Sequence, residues 1–156
     1  MARITGNMNK AFVKEPEDTG QGHCPRCGSL GVAVGTETLS AQLAADDRRQ
    51  LPDTAFFCPF ARCDVAYFDQ FDRTVTADRM PRPIYPKDPD APICGCFGLT
   101  REDIEADVLE GGVRRVKELL AKSKSPLARC ITLAPSGHCC MPDVQRYFMK
   151  FRESRQ

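Results

Sequence analysis

Nine cysteines are the residues best able to do chemistry in this chain of 156 residues. Spacing divides them into two groups. Cys24-Pro-Arg-Cys27-Gly28 and Cys58-Pro-Phe-Ala-Arg-Cys63 make one; Cys94-Gly-Cys96, Cys130 and Cys139-Cys140 make the other. In the first, Cys24 and Cys27 are spaced so that both sulfurs reach one ion, and Gly28 permits the positive φ that aims amides at them. Two such pairs predict a closed thiolate tetrahedron at Cys24, Cys27, Cys58 and Cys63. That set suits a redox-inert structural zinc better than iron and leaves no open position for catalysis. The second pair is wider than the commonest zinc knuckle. The second group reads as the ligand set of one [2Fe-2S] cluster: Cys94, Cys96, Cys130 and one of the adjacent Cys139 and Cys140. A disulfide framework is the alternative. An odd number of cysteines leaves one over, and a reducing compartment disfavours the bonds.

Other chemistries find little support. The two histidines, His23 and His138, each adjoin a cysteine and leave little for acid–base catalysis. His138 as a tuning group or ligand, and His23 as a reserve zinc ligand, compete with the simpler reading of both as loop residues. Any activity is therefore electron transfer at a cluster. A formal net charge of +1 gives no basic recognition stripe, so nucleic acid is not an expected partner. No apolar run is long enough for a membrane span. The opening MARITGNMNKAFVKEPEDTGQG lacks the apolar core of a secretory signal, so a cytoplasmic address is expected. Arg114, Arg115, Lys117, Lys122 and Lys124 offer a basic face for an acidic redox partner, or simply a solvated helix surface.

The elements that must position these thiols follow from local pattern. Residues 1–21 read as a loosely held arm. A zinc lobe over 22–79 is expected to hold strands at Val32–Val34, Ala55–Cys58, Val65–Phe68 and Arg73–Thr76. Its one helix should run from Leu39 to about Gln50, N-capped by Thr38, with Leu39 and Leu43 inward. Tyr67, Phe68 and Phe71 are its expected core. Residues 80–92, MPRPIYPKDPDAP, carry five prolines and predict an extended connector. The lobe over 93–156 is expected to be helical. Thr100 caps a helix with Asp103 at its third position and Ile104, Val108 and Leu109 inward; Gly111-Gly112 ends it. A second helix runs from Val113 to Ala121 with Val116, Leu119 and Leu120 inward. Cys130–Leu133 reads as extended. A last helix starts at Pro142 and runs to Ser154, with Val144, Tyr147, Phe148 and Phe151 on one stripe. The fold class is α+β: a small antiparallel sheet with one helix held by zinc, then a helical cluster-binding lobe. The cluster cysteines stand just before two helix N-termini, where free amides and dipoles favour an anionic cluster. Met141 and Met149 read as core packing.

APICGCFGLTREDIEADV, the later Cys130 and APSGHCCMPDV resemble the N-terminal domain of CopZ-type copper chaperones. CPRCG and FFCPFARCDVAYF resemble its zinc-binding half. The cluster half of that family is related to bacterioferritin-associated ferredoxin. The resemblance covers about residues 22 to 153. It implies zinc on Cys24, Cys27, Cys58 and Cys63, and the cluster on Cys94, Cys96, Cys130 and Cys140. Cys140 is preferred because its ten-residue step from Cys130 aligns with the family's; Cys139 is the alternative. The resemblance also implies electron transfer or reduction of Cu(II) to Cu(I), beside a separate copper carrier or redox partner protein. The chaperones continue into a heavy-metal domain with an M-x-C-x-x-C copper loop, which this sequence does not contain. An iron–sulfur sensor and a two-zinc interaction module are the other readings.

Overall fold

Short aromatic and β-branched runs, each bounded by turn residues, make a four-stranded antiparallel meander in the computed structural model, which describes residues 21–155. The strands are β1 (Val32–Val34), β2 (Ala55–Phe57), β3 (Val65–Phe68) and β4 (Thr74–Thr76), adjacent in that order. Val32 pairs with Phe57, Phe57 with Tyr67 and Phe56 with Phe68. The period of two sends Phe57 and Tyr67 to one face and Phe56 and Phe68 to the other. The first face packs with Val34, Leu39, Leu43, Leu51, Val75 and Ile84. On the second face Phe56, Val65 and Phe68 pack around Cys24, Cys58 and Cys63. The sheet is thus apolar on both sides, and one side is built around thiols.

The single helix expected over Leu39–Gln50 is two: α1 (Thr36–Gln42) and α2 (Ala45–Arg48). Leu43 is extended between them, and both Leu39 and Leu43 are buried. The N-cap is Gly35 rather than Thr38, whose side chain lies inside the helix and turns inward. Phe71 is not core. It stands 69% exposed on the β3–β4 turn, its ring against the Arg73 guanidinium. The connector is turn-rich rather than extended. It drops Ile84 into the sheet core and packs Tyr85 against the second core.

The second lobe holds α3 (Arg101–Glu110), α4 (Arg114–Ser123), α5 (Cys130–Leu133) and α6 (Met141–Ser154). The capping box on α3 is complete, with the Asp103 amide donating to Thr100 Oγ1 and the Thr100 amide to Asp103. Ile104, Leu119, Met141 and Val144 form the core with Ile93, Cys94 and Cys140. Leu109 and Leu120 face solvent instead of the core. Cys130–Leu133 is one turn of helix rather than extended chain. The arm expected over residues 1–21 lies outside the described residues except for Gln21. Among the described residues no helix is long and apolar enough to cross a membrane.

Helix α4 has no cap of its own, because Val113 offers no side-chain acceptor. Asp107 of α3 supplies one. Its carboxylate accepts from the Val116 amide at 2.9 Å and from the Arg115 guanidinium at 3.0 Å. Burial alone would raise this carboxyl; the Val116 and Arg115 amides and the Arg115 guanidinium outweigh it and hold the group below its ordinary value. Asp107→Asn is expected to destabilise the chain by about 1–3 kcal/mol in urea unfolding at neutral pH. A depressed carboxyl gives stability that is complete above its unfolded value and lost as pH falls through the folded one. The difference between the two proteins should therefore shrink below about pH 4. Equal urea midpoints at neutral pH would show that Asp107 does not cap α4.

Candidate metal centres

The first centre starts from two turns on the thiol face of the sheet. In Cys24–Gly28 the Gly28 amide donates to the Cys24 carbonyl at 2.8 Å, with Gly28 at φ 80°. The Cys24 amide donates to Ser29 O at 2.9 Å, closing the turn. The second pair leaves β2 at Cys58 and enters β3 after Cys63, whose sulfur accepts from the Val65 amide at 3.5 Å. The four sulfurs all lie within 4.8 Å of one another, with Cys24–Cys63 at 3.8 Å and Cys27–Cys58 at 3.6 Å. A zinc–sulfur bond of about 2.3 Å gives a tetrahedral edge of about 3.8 Å, so the set fits zinc closely. Burial pushes the Cys58 thiol up to about 12 and raises Cys63 as well. Burial also acts against Cys27, but its hydrogen bonds with Ser29 outweigh that and lower it to about 6. Lys87 of the connector donates to the carbonyls of Phe60 and Cys63 at 2.6 and 3.1 Å, bringing a positive charge to the thiol set. No local pattern around Lys87 points to that contact.

In the helical lobe Cys94 begins a turn with the same backbone. The Gly98 amide donates to the Cys94 carbonyl at 2.8 Å, Gly98 has φ 79°, and the Cys94 amide donates to Leu99 O at 3.2 Å. The second thiol sits one residue earlier than in the zinc turn, at Cys96. The Phe97 amide donates to Cys94 Sγ at 3.2 Å, and the Arg129 amide to Cys96 Sγ at 2.9 Å. The neighbouring Cys140 thiol, opposed by burial and helped by the amides of Phe97, Cys96 and Leu99, lowers Cys94 to about 6; Cys140 is pushed up by Cys94 and by burial. Burial raises the Cys130 thiol, and the neighbouring sulfurs of Cys139, Cys96 and Cys94 raise it further.

The thiols of the second group are thus neighbours, drawn from the turn before α3, from α5 and from the start of α6. They do not form the tight tetrahedron of the first group. Cys94 and Cys140 are buried, Cys96 and Cys130 are half-buried, and Cys139 and His138 are exposed. All nine cysteines are free thiols, which excludes the disulfide framework in this structure. His23 is exposed and pairs with Leu30 through backbone only. A cleft of about 510 Å³ opens between the lobes, lined by Phe57, Tyr85, His138, Cys139, Cys140 and Arg146.

These features define a metal-binding protein with a four-thiolate site on a mixed α/β frame. More particularly, residues 21–80 match the family model of the CopZ zinc binding domain. The crystal structure of the Archaeoglobus fulgidus CopZ N-terminal domain is similar to the chain, with 21% identity and a TM-score of 0.68. The match covers 80% of this chain and 96% of that one, so the shared fold extends past the zinc lobe into the helices. No curated protein matches the sequence significantly.

Proposed function

We propose that the chain is a zinc-stabilised [2Fe-2S] electron-transfer protein serving copper homeostasis. Cu(II) is its substrate, reduced by one electron to Cu(I) for a separate copper carrier, and the electron comes from a reducing partner protein. Zinc on Cys24, Cys27, Cys58 and Cys63 is structural. The cluster ligands are Cys94, Cys96, Cys130 and Cys140. A [2Fe-2S] group bound there supplies one-electron transfer at low reorganisation cost.

The observation that carries this reading is the convergence of thiols with amides already aimed at two of them. The Phe97 and Arg129 amides donate to the Cys94 and Cys96 sulfurs, as ligating thiolates need. Cys140 is favoured over Cys139 because it is buried beside Cys94, whereas Cys139 is exposed. Half-buried Cys96 and Cys130 leave one side of the set near solvent, where a partner can approach. Kinship of the zinc lobe with CopZ domains, and the fold shared with the CopZ N-terminal domain, support the copper context. Nine free thiols fit the reducing cytoplasm.

Anaerobically purified protein is expected to absorb in the visible and to contain about two iron, two sulfide and one zinc per chain. Its colour should bleach on reduction and return when Cu(II) is added. A colourless protein with about two zinc and no sulfide, even after anaerobic reconstitution, would overturn the cluster assignment.

A further inference from the structure

Helix α5 is a single turn of four residues, Cys130–Leu133. So short a helix has no stability of its own. Its last carbonyls also lack partners within it, since the Leu133 and Ala134 amides reach back only to Arg129 and Cys130. The partners come from the other lobe. Thr38 Oγ1 donates to the Ile131 carbonyl at 2.5 Å, and Gln42 Nε2 to the Thr132 carbonyl at 2.7 Å. The Tyr67 hydroxyl donates to the Pro135 carbonyl. Thr38 and Gln42 stand one helical turn apart on α1, which packs directly on α5. All three side chains are buried, at 2% exposure or less. These are polar groups taken out of water to serve three backbone carbonyls in the segment between Cys130 and Cys139.

The far side of α5 meets the first cluster cysteines. A Cβ on Gly95 would lie 2.3 Å from the Leu133 carbonyl oxygen, so Cys94-Gly-Cys96 passes against α5 with no space between. The Arg129 amide, at the start of α5, donates to Cys96. We infer that Thr38, Gln42 and Tyr67 of the zinc lobe are positioning residues for the cluster: they fix α5, and with it Cys130 and the Arg129 amide, against Cys94-Gly-Cys96. The zinc lobe thereby sets how firmly the ligands of the other centre are held. This rests on the [2Fe-2S] reading above.

The test uses the full chain with Thr38→Val, Gln42→Leu and Tyr67→Phe, singly and together. Each removes the donor and keeps much of the shape. Zinc content and far-ultraviolet circular dichroism should stay at the parent level. Amide exchange at Leu133 and Ala134, and loss of visible colour to an iron chelator, should each be about tenfold faster in a single variant. The reduction potential should shift as the Arg129 amide moves from Cys96, and Thr38→Ser, which keeps the hydroxyl, should restore the parent rates. Unchanged exchange and unchanged bleaching in the triple variant would overturn the inference. Faster exchange in a chain that never gains colour would uphold the clamp on α5 and overturn the cluster reading instead. Should Tyr67→Phe lose zinc, the Thr38→Val and Gln42→Leu pair carries the same test.

Discussion

Chelation of zinc is expected to unfold the four-stranded sheet cooperatively, and Cys58→Ser is expected to do the same without chelator. The strands are only three or four residues long. On one side of the sheet, Phe56, Val65 and Phe68 pack on no helix among the described residues; their neighbours are Cys24, Cys58 and Cys63. Structural zinc contributes about 10–16 kcal/mol of apparent binding energy, comparable with or larger than the total of about 5–15 kcal/mol typical of a folded domain. The metal therefore decides whether this lobe folds. Binding must also displace protons, because burial holds Cys58 near 12 and raises Cys63. Zinc affinity should fall as pH falls, and the lobe should be lost with it. Amide spectra of Phe56–Phe68, recorded before and after chelation, measure this. A sheet that keeps its dispersed signals without zinc would show that the apolar face opposite, around Leu39 and Tyr67, is sufficient alone.

Alanine at Cys94 or Cys96 is expected to remove all iron and sulfide from the chain and leave one zinc in place. The two thiols share one turn, and each accepts a backbone amide, from Phe97 and from Arg129. The two centres share no ligand, and the Cys94 turn packs within the second core rather than against the sheet. Cys140→Ala should behave like Cys94→Ala because the two residues are buried in the same core. Cys139→Ala should keep the colour, since that residue is exposed where Cys140 is buried. Metal analysis with visible absorption on the four variants decides the matter. Loss of zinc together with iron would show one interdependent site in place of two, and a colourless Cys139→Ala would exchange the ligand assignment.

Some of this architecture is written locally in the sequence. The four zinc thiols are legible because their spacing is a property of short turns, and the structure brings all four within reach of one ion. The Thr100–Asp103 capping box is legible for the same reason, since both of its hydrogen bonds lie within four residues. Leu39 and Leu43 declare their burial through spacing alone, although the helix between them breaks. What escaped reading is what one part of the chain does for another. Thr38 looks like an N-cap by type and position, yet its hydroxyl serves a carbonyl 93 residues away. Asp107 looks like a solvated helix carboxylate, yet it caps the next helix. Phe71 is aromatic beside two buried aromatics, but the turn carries it outward. Backbone carbonyls are the same at every residue, so the donors that seek them leave no pattern to recognise.

The hydrogen bonds from Thr38, Gln42 and Tyr67 also impose an order on assembly. Their partners lie 93, 90 and 68 residues downstream. On the ribosome the sheet lobe, complete once Ile84 has emerged, precedes the carbonyls it will hold. Closing contacts at such separations is slow for a free chain. Here the late-arriving segment meets a finished surface instead of having to find its shape. On the proposed reading metal supply would then act in sequence: zinc matures the template, and only a matured template can receive the proposed iron centre. A cell short of zinc would accumulate chains that have every thiol for iron and sulfide but nothing to hold those thiols still.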